Sequence, residues 1–379
     1  MIIKNAYVYD LEQGFVKRNT VITNGYFSDE NRPAAAGEPV IDAQENYLIP
    51  GLVDVHFHGC AGHDFSDGTP EALDAIGTYE LRNGITTICP AAMTLSEEML
   101  CGVCANAHAY QRKAAGRQTA RLCGIHLEGP FISDEKKGAQ NPAYIQNPDP
   151  MMFQRLQEAA HGLVRLITIA PETTGAMEFI DALHEQVHIS LGHTASDYDT
   201  ALLAFRHGAD HLTHCFNAMP AFAHREPGVI GAAIDAEHVM PELICDGLHV
   251  HPSAVRALFS LFGAERMILI SDSMRATGMP DGAYTLGGLD VAVKGNRATL
   301  ADGTIAGSVT NLMDGMRMAV SMGISLEAAV RCATYNPAKS IGVEDLHGRI
   351  APGAYGDCVL LAREDLSVQQ VIFGGELVK

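Results

Sequence analysis

The sequence predicts an α/β protein: a (β/α)8 TIM-type barrel that carries a small β-sandwich domain formed by the N- and C-terminal segments. From residue 52 onward, eight short runs rich in Val, Ile and Leu alternate with longer segments of helical periodicity. Eight parallel strands with connecting helices close into a barrel of about 250 residues. The expected organisation is the first half of the sandwich at 1–49, the barrel at 50–343 and the second half of the sandwich at 344–379.

The two flanking segments are predicted to be β-rich. Alternating runs at 2–9 and 16–22 are separated by the turn signals Gln13-Gly14 and Asn24-Gly25, and similar runs recur at 357–361 and 368–373. Neither flank is long enough to fold alone. We therefore expect the two flanks to pair with each other and to pack on the barrel.

Most of the predicted barrel strands end at polar or turn-forming residues. Their ends lie near His58, Pro90, Glu128, Ala170, His193, His214, His249 and Asp272. Thr69-Pro70 predicts the start of the first helix and Asn83-Gly84 its end, while Ser196 or Asp197 caps a later helix that Gly208 ends. The segment 96–115 is also helical in pattern and contains the C-x-x-C pair Cys101 and Cys104, and a β-like excursion occupies 284–300.

Composition narrows the class of protein. The chain has 379 residues, 47% hydrophobic and 19% charged, with a formal net charge of −19. Such acidity argues against nucleic acid or an anionic membrane as a partner. The N-terminus lacks the apolar core of a signal peptide, which leads us to expect a cytoplasmic protein. The nine cysteines are expected to be reduced thiols in a protein of that compartment.

His56 and His58 follow the first barrel strand two residues apart. Alternate residues of a strand face the same way, so the two imidazoles are expected to point together. Converging imidazole nitrogens bind divalent ions such as zinc, and an ion of that kind makes water a nucleophile near neutral pH. The pair alone is a moderate signal, because two of 17 histidines can fall in this register by chance.

Polar residues at several strand ends make the metal hypothesis stronger, because the carboxyl ends of barrel strands meet at one mouth. Glu128, His193 and His214 offer three ligands and leave a coordination position for water. Asp272 can transfer a proton, and His249 can donate a hydrogen bond to a carbonyl oxygen. His56 and His58 can hold a second ion, with Glu128 as the bridge, since the strand at 165–170 has no lysine to bridge two metals.

The combination of motifs resembles the amidohydrolase superfamily, and within it the deacetylases of phosphorylated N-acetyl amino sugars. The motifs that carry the resemblance lie at 50–59, 126–131, 137–142, 192–194, 214–219, 225–228, 246–249, 271–274 and 333–338. The resemblance implies metal ligation by Glu128, His193 and His214, proton transfer by Asp272 and carbonyl contact by His249. The implied contacts to the sugar phosphate are Ala139, Gln140, Asn217, Ala218, Arg225, Ile305, Ala306, Gly307 and Ser308.

The reaction that the resemblance implies is hydrolysis of the acetamide of N-acetyl-D-glucosamine 6-phosphate to D-glucosamine 6-phosphate and acetate, in amino-sugar catabolism or cell-wall recycling. Alternative substrates are the galactosamine epimer, a cyclic amide or a substrate for deamination. A catalytically silent metal-binding module is a further alternative. One or two ions are expected per subunit, zinc first and iron, manganese or cobalt as alternatives. Some relatives carry histidine where Gln140 stands. A homodimer is expected, in which Arg225 serves its own or the neighbouring subunit's site.

Overall fold

The computed structural model describes residues 1–29, 33–113 and 116–378. The chain begins with strands that hydrogen-bond to each other, β1 antiparallel to β2 and β2 to β3, while β4 and β5 run parallel to β1. Both predicted turns are present, with Gly14 and Gly25 at φ of 70° and 84°, a conformation that glycine adopts without a steric penalty. The strands are β1 (Ile2–Asp10), β2 (Gly14–Thr23), β3 (Tyr26–Ser28), β4 (Val40–Asp42) and β5 (Tyr47–Pro50).

A parallel barrel follows. Its principal strands are β6 (Leu52–Asp54), β9 (Ile85–Ile88), β12 (Ile125–Glu128), β13 (Val164–Ile169), β14 (His188–Leu191), β15 (His211–Leu212), β16 (Met240–Ile244) and β17 (Ile268–Ile270). Shorter strands extend it: β7 (Gly59–Cys60), β8 (His63–Asp64), β10 (Ala91–Ala92) and β11 (Arg121–Leu122). Sequential pairing runs from β6 through β9 and β11, and from β10 through β12 to β17.

Backbone hydrogen bonds beyond the ends of β6 and β17 join the first strand to the last. The amide of Asp272 donates to the carbonyl of His56 at 2.9 Å, and the amide of His58 donates to the carbonyl of Ser273 at 2.7 Å. These bonds close the ring of strands. The prediction of a (β/α)8 barrel is confirmed.

The helices pack their apolar faces on the outside of the barrel. They are α1 (Pro70–Arg82), α2 (Glu97–Lys113), α3 (Pro150–Ala159), α4 (Ala176–Leu183), α5 (Tyr198–Arg206), α6 (Gly228–Asp235), α7 (Pro252–Phe262), α8 (Leu312–Ser321), α9 (Leu326–Ala333) and α10 (Tyr335–Ser340). The predicted caps are present, because Thr69 accepts from the amide of Ala72 and Asp197 from the amide of Thr200. Helix α2 contains the C-x-x-C pair, and the last two residues predicted for it, 114–115, lie outside the described residues.

The excursion after the last barrel strand forms a three-stranded antiparallel sheet. Its strands are β18 (Gly282–Leu286), β19 (Leu289–Lys294) and β20 (Arg297–Thr299), with Gly295 and Asn296 at the predicted turn. Leu286 at the end of β18 reaches the wall of the cavity at the barrel mouth. This small sheet therefore contributes to the candidate site.

The C-terminal strands return to the N-terminal sheet. They are β21 (Cys358–Leu361), β22 (Val368–Phe373) and β23 (Glu376–Leu377), and β21 pairs antiparallel with β5. The result is an eight-stranded sheet with a separate apolar cluster that includes Val8, Leu48 and Ile372. The two flanks thus combine as predicted, while the boundaries 1–49, 50–343 and 344–379 stay a prediction.

Two expected strand ends are wrong. The strand expected to end near His58 is β6, which ends at Asp54, so His56 and His58 lie beyond it. The strand expected to end near His249 is β16, which ends at Ile244, so His249 lies on the turn that follows. Asp246 shapes this turn, since its carboxylate accepts from the amides of Leu248 and His249 at 2.9 and 2.8 Å. In the described part of the chain, no helix is long and apolar enough to cross a membrane.

Candidate active site

The barrel mouth holds a cavity of about 310 Å³ at the carboxyl ends of the strands. Three polar residues on its wall, His193, His214 and Asp272, have positive φ angles of 46°, 24° and 48°. Non-glycine residues rarely adopt this conformation, and it costs of order 1 kcal/mol or more at each position. The chain therefore bends sharply after β14, β15 and β17, which turns these side chains into the cavity.

Glu128, His193 and His214 converge as the sequence predicts. The Oε1 atom of Glu128 lies 3.1 Å from Nε2 of each histidine, and the two Nε2 atoms are 3.1 Å apart. All three side chains are buried. Burial alone would raise the pKa of Glu128, but the imidazoles of His56 and His193 hold that pKa well below its usual value. The carboxylate is therefore ionised.

His56 and His58 meet the same carboxylate from the other side. His56 Nε2 lies 3.1 Å from Glu128 Oε1, and His58 Nε2 lies 3.3 Å from Glu128 Oε2. His58 Nε2 is also 3.2 Å from Asp272 Oδ1. Glu128 thus stands between two groups of possible ligands, one with His193 and His214 and one with His56, His58 and Asp272.

The hydrogen bonds made by the Nδ1 atoms of His58 and His193 show that these nitrogens carry a proton. A peptide carbonyl only accepts, so Nδ1 of His58 donates to Ala91 at 3.1 Å and Nδ1 of His193 donates to Lys136 at 2.9 Å. Each Nε2 therefore faces an oxygen of Glu128, at 3.3 Å for His58 and 3.1 Å for His193. Once these nitrogens lose their own protons, a divalent ion can take the place of the protons between the rings and the carboxylate. The donor set therefore fits a divalent metal ion.

Asp272 lies at the edge of both ligand groups. Burial would raise the pKa of its carboxyl, but the hydrogen bond from His58 and the charges of His56 and His58 outweigh burial and lower the pKa. Asp272 is consequently ionised at neutral pH. An ionised carboxylate beside a metal site can accept a proton from water.

His249 also lines the cavity. Its Nδ1 donates to the carboxylate of Asp246 at 2.7 Å. Burial lowers the pKa of His249, but this hydrogen bond and the charge of Asp246 outweigh burial and raise the pKa. When the ring is protonated, Nε2 carries a proton that can be donated into the cavity. Asp246 is a partner that the sequence had indicated only through its motif.

Gln140 hydrogen-bonds to the candidate metal ligand Glu128. It is buried, its Nε2 donates to Oε2 of Glu128, and its Oε1 accepts from the amide of Thr94 at 2.8 Å. Thr94 in turn donates through its hydroxyl to the carbonyl of Glu128 at 3.0 Å. Gln140 therefore orients the carboxylate of Glu128 and also forms part of the cavity wall.

A comparison with protein families places this barrel. The model of the amidohydrolase family matches residues 47–378. The chain belongs to the amidohydrolase family. Its curated relatives include the N-acetylglucosamine-6-phosphate deacetylase of Bacillus subtilis (strain 168), 37% identical over 366 residues, with 92% of this chain and 91% of the relative covered. The N-acetylgalactosamine-6-phosphate deacetylase of Escherichia coli O157:H7 is 34% identical over 371 residues, with 95% of this chain and 97% of the relative covered.

Solved structures resemble this amidohydrolase over its whole length. The crystal structure of N-acetyl-D-glucosamine-6-phosphate deacetylase from Mycobacterium smegmatis matches with a TM-score of 0.92 at 33% identity, covering 100% of both chains. A mutant of the Mycobacterium smegmatis enzyme in complex with N-acetyl-D-glucosamine-6-phosphate matches with a TM-score of 0.91 at 34% identity, covering 100% of this chain and 98% of that chain.

The remaining residues expected to contact substrate fall into two groups in this amidohydrolase. Ala139, Gln140, Asn217, Ala218, Ile305 and Gly307 line the cavity. Ala306 and Ser308 are buried and do not belong to the cavity lining that the structure describes. The hydroxyl of Ser308 donates to the carbonyl of Ser271 at 2.6 Å, so Ser308 holds the loop to the end of β17.

Arg225 lies outside the cavity of its own chain. It sits in the exposed segment 221–226, in the loop that leads to α6, and it is not among the residues that line the cavity. Within a single chain of this amidohydrolase, therefore, Arg225 is not brought to the substrate site.

Sequence reasoning missed three residues that surround the ligands. Lys136 lines the cavity and accepts a hydrogen bond from His193 through its carbonyl. Glu242 on β16 accepts from Nδ1 of His56 at 2.7 Å, and Asp54 on β6 accepts from the hydroxyl of Ser271 at 2.6 Å. Both acids are fully buried. An acidic residue within an apolar strand run was the available signal, since buried carboxylates need specific partners.

Proposed function

We propose that this amidohydrolase hydrolyses the acetamide of N-acetyl-D-glucosamine 6-phosphate to D-glucosamine 6-phosphate and acetate. The observation that carries the proposal is the position of Asp272, whose ionised carboxylate lies 3.2 Å from Nε2 of His58 at the edge of the ligand cluster. The similarity to N-acetylglucosamine-6-phosphate deacetylases over more than nine-tenths of the chain supports the substrate.

The ligand groups suit one or two divalent ions. Glu128, His193 and His214 would hold the first, and His56 and His58 would hold a second with Glu128 between them. Zinc is our first choice, because imidazole and carboxylate ligands with an open position are typical of catalytic zinc. When bound, such an ion polarises water and a carbonyl oxygen.

The chain's own residues would handle the proton and the developing charge. Asp272 accepts the proton of the attacking water and delivers it to the departing sugar nitrogen, which leaves as an amine. His249 donates its Nε2–H to the acetamide oxygen as negative charge develops there, while Asp246 keeps the ring oriented. Gln140 and Asn217 line the space for the sugar hydroxyls.

Recognition of the phosphate is assigned to Arg225. Because Arg225 is exposed and outside its own cavity, we propose that it reaches the site of a neighbouring subunit in a homodimer. A guanidinium group binds a phosphate with two parallel hydrogen bonds, which offsets the repulsion from a chain of net charge −19. Since phosphorylated sugars do not cross membranes unaided, the proposed place of action is the cytoplasm, in amino-sugar catabolism or cell-wall recycling.

The test is an acetate-release assay. N-acetyl-D-glucosamine 6-phosphate, its galactosamine epimer and unphosphorylated N-acetylglucosamine are compared at equal concentrations, with enzyme loaded with zinc and enzyme stripped by a chelator. We expect the highest kcat/KM for the phosphorylated glucosamine substrate and loss of turnover on stripping. Faster turnover of the galactosamine epimer would reassign the substrate, and full activity after stripping would refute the metal-dependent reaction.

A further inference from the structure

Glu242 joins the two ligand groups below the cavity. Its side chain is fully buried in the barrel interior on β16. One oxygen, Oε2, accepts both from Nδ1 of His56 at 2.7 Å and from the backbone amide of His214 at 3.1 Å. One carboxylate oxygen therefore contacts a residue of each ligand group.

Among the residues that the structure describes, the other oxygen of Glu242 finds no hydrogen-bond partner. Oε1 is buried and unpaired, and the nearest imidazole nitrogen of His211 is 3.9 Å away, beyond hydrogen-bond distance. Nε2 of the neighbouring His126 is hydrogen-bonded to the hydroxyl of Thr168 at 2.8 Å. The hydrogen bonds that Glu242 accepts are thus concentrated on the metal-ligand side of its carboxylate.

A buried carboxylate with one unsatisfied oxygen is costly for folding. Both donors that the carboxylate satisfies belong to the candidate metal ligands His56 and His214. Leucine at position 242 would leave these two buried donors without an acceptor. The cost points to a role in the site that it contacts.

We propose that Glu242 is a positioning residue that sets the geometry of the metal ligands. Because its carboxylate can only accept, it fixes a proton of His56 on Nδ1 and leaves Nε2, which lies 3.1 Å from Oε1 of Glu128, as the nitrogen available to a metal ion. Its second bond holds the amide of His214, whose backbone lies in the strained region at φ 24°. Outer partners of this kind change metal affinity by about 10- to 100-fold when they are removed.

This inference rests on the proposed metal-dependent function, and the test separates the two. Glu242→Leu removes the acceptor, and Glu242→Gln keeps an acceptor oxygen but removes the charge. The control is Glu80→Gln, because Glu80 is a carboxylate of equal burial on α1 that does not touch the ligands. Zinc affinity is measured by competition with a chromophoric chelator, and the visible spectrum of cobalt-loaded protein reports ligand geometry.

We expect zinc affinity to be about 10- to 100-fold weaker in Glu242→Leu and to be reduced by an intermediate amount in Glu242→Gln. The cobalt bands should be altered in both variants. Glu80→Gln should keep the wild-type zinc affinity and the wild-type cobalt bands. The melting temperature of the metal-free proteins is recorded alongside. Wild-type zinc affinity and cobalt bands in Glu242→Leu would overturn the inference, whatever the melting temperature. Failure of the wild-type protein itself to bind zinc or cobalt would instead refute the proposed function, and the inference with it.

Discussion

At the scale of single residues, Asp272 combines two features that sequence alone could not join. Its backbone is left-handed, and its carboxylate is ionised by its contact with His58 despite burial. The strand end was predictable, because an acid follows the apolar run of β17. The partner was not, because His58 lies far away in the sequence and meets Asp272 only when the barrel closes.

Asp272→Asn tests proton transfer. Asparagine keeps the size and a hydrogen-bond acceptor but cannot take up a proton, so we expect kcat to fall by about 10²- to 10⁴-fold. Zinc content, measured by elemental analysis, should stay at the wild-type value, since Glu128, His193 and His214 are unchanged. Turnover within tenfold of wild type would show that another group transfers the proton.

Metal uptake is expected to depend on pH. Burial lowers the pKa of His58, but its hydrogen bonds to Asp272 and Glu128 outweigh burial and raise the pKa to about 10 in the metal-free protein. Below that pH the ring is protonated, and it must lose a proton before Nε2 can bind an ion. Zinc affinity should therefore rise as the pH is raised from 6 to 8.

Chelator competition at several pH values, corrected for the protonation of the chelator, measures this slope. His58→Asn removes one titrating group and should reduce the slope by about one proton, which is tenfold in affinity per pH unit. An identical slope in the variant would exclude His58 as a source of the released proton.

At the scale of elements, the sequence correctly predicted the features that depend on neighbouring residues. These features are the N-terminal caps of α1 and α5 and the turns in the N-terminal flank. His249 was misplaced, because the turn after β16 is built by hydrogen bonds that the carboxylate of Asp246 accepts, and an apolar pattern does not encode them. The substrate contact expected for Ser308 stays a prediction, and its bond to the carbonyl of Ser271 could not be predicted because it depends on tertiary structure.

The buried carboxyl of Glu80 on α1 should make the free energy of unfolding depend on pH. Burial, reinforced by the charge of Asp54, raises the pKa of Glu80 from 4.5 to about 8. Between these values the folded chain retains a proton that the unfolded chain releases, so the free energy of unfolding falls as the pH rises. Glu80→Gln has no such proton, and its melting temperature relative to wild type should increase from pH 5 to pH 8.

Thermal unfolding at pH 5, 6, 7 and 8 measures the effect. Glu71→Gln, at an exposed position of the same helix, is the control and should show a constant difference from wild type. If the difference for Glu80→Gln is also constant, the carboxyl is ionised in the folded protein throughout this range.

At the scale of the whole molecule, the barrel and the sheet formed by the flanks follow from the order of elements, whereas the proposed phosphate site would require a second subunit. Arg225→Ala should raise KM for N-acetyl-D-glucosamine 6-phosphate by at least about tenfold, from the loss of a charged hydrogen-bond donor. Activity on unphosphorylated N-acetylglucosamine should not change. Arg112→Ala, at an exposed position on α2, serves as the control.

Mixing subunits tests whether Arg225 acts across the dimer. In a heterodimer of Arg225→Ala and Asp272→Asn, one site combines an intact Asp272 with the partner's intact arginine. Activity at low substrate concentration should therefore recover after the two variants are unfolded and refolded together. No recovery, with heterodimers present by mass spectrometry, would place the phosphate contact within one subunit.

The joint between the first and last barrel strands has a consequence for synthesis of the chain. The hydroxyl of Ser273 donates to the carbonyl of Gly59, a pair 214 residues apart in sequence, and the amides of Asp272 and His58 bridge the same gap. A nascent polypeptide still on the ribosome has therefore exposed its paired histidines long before the opposite wall exists. Ion capture at the complete centre must therefore await emergence of the last barrel strand.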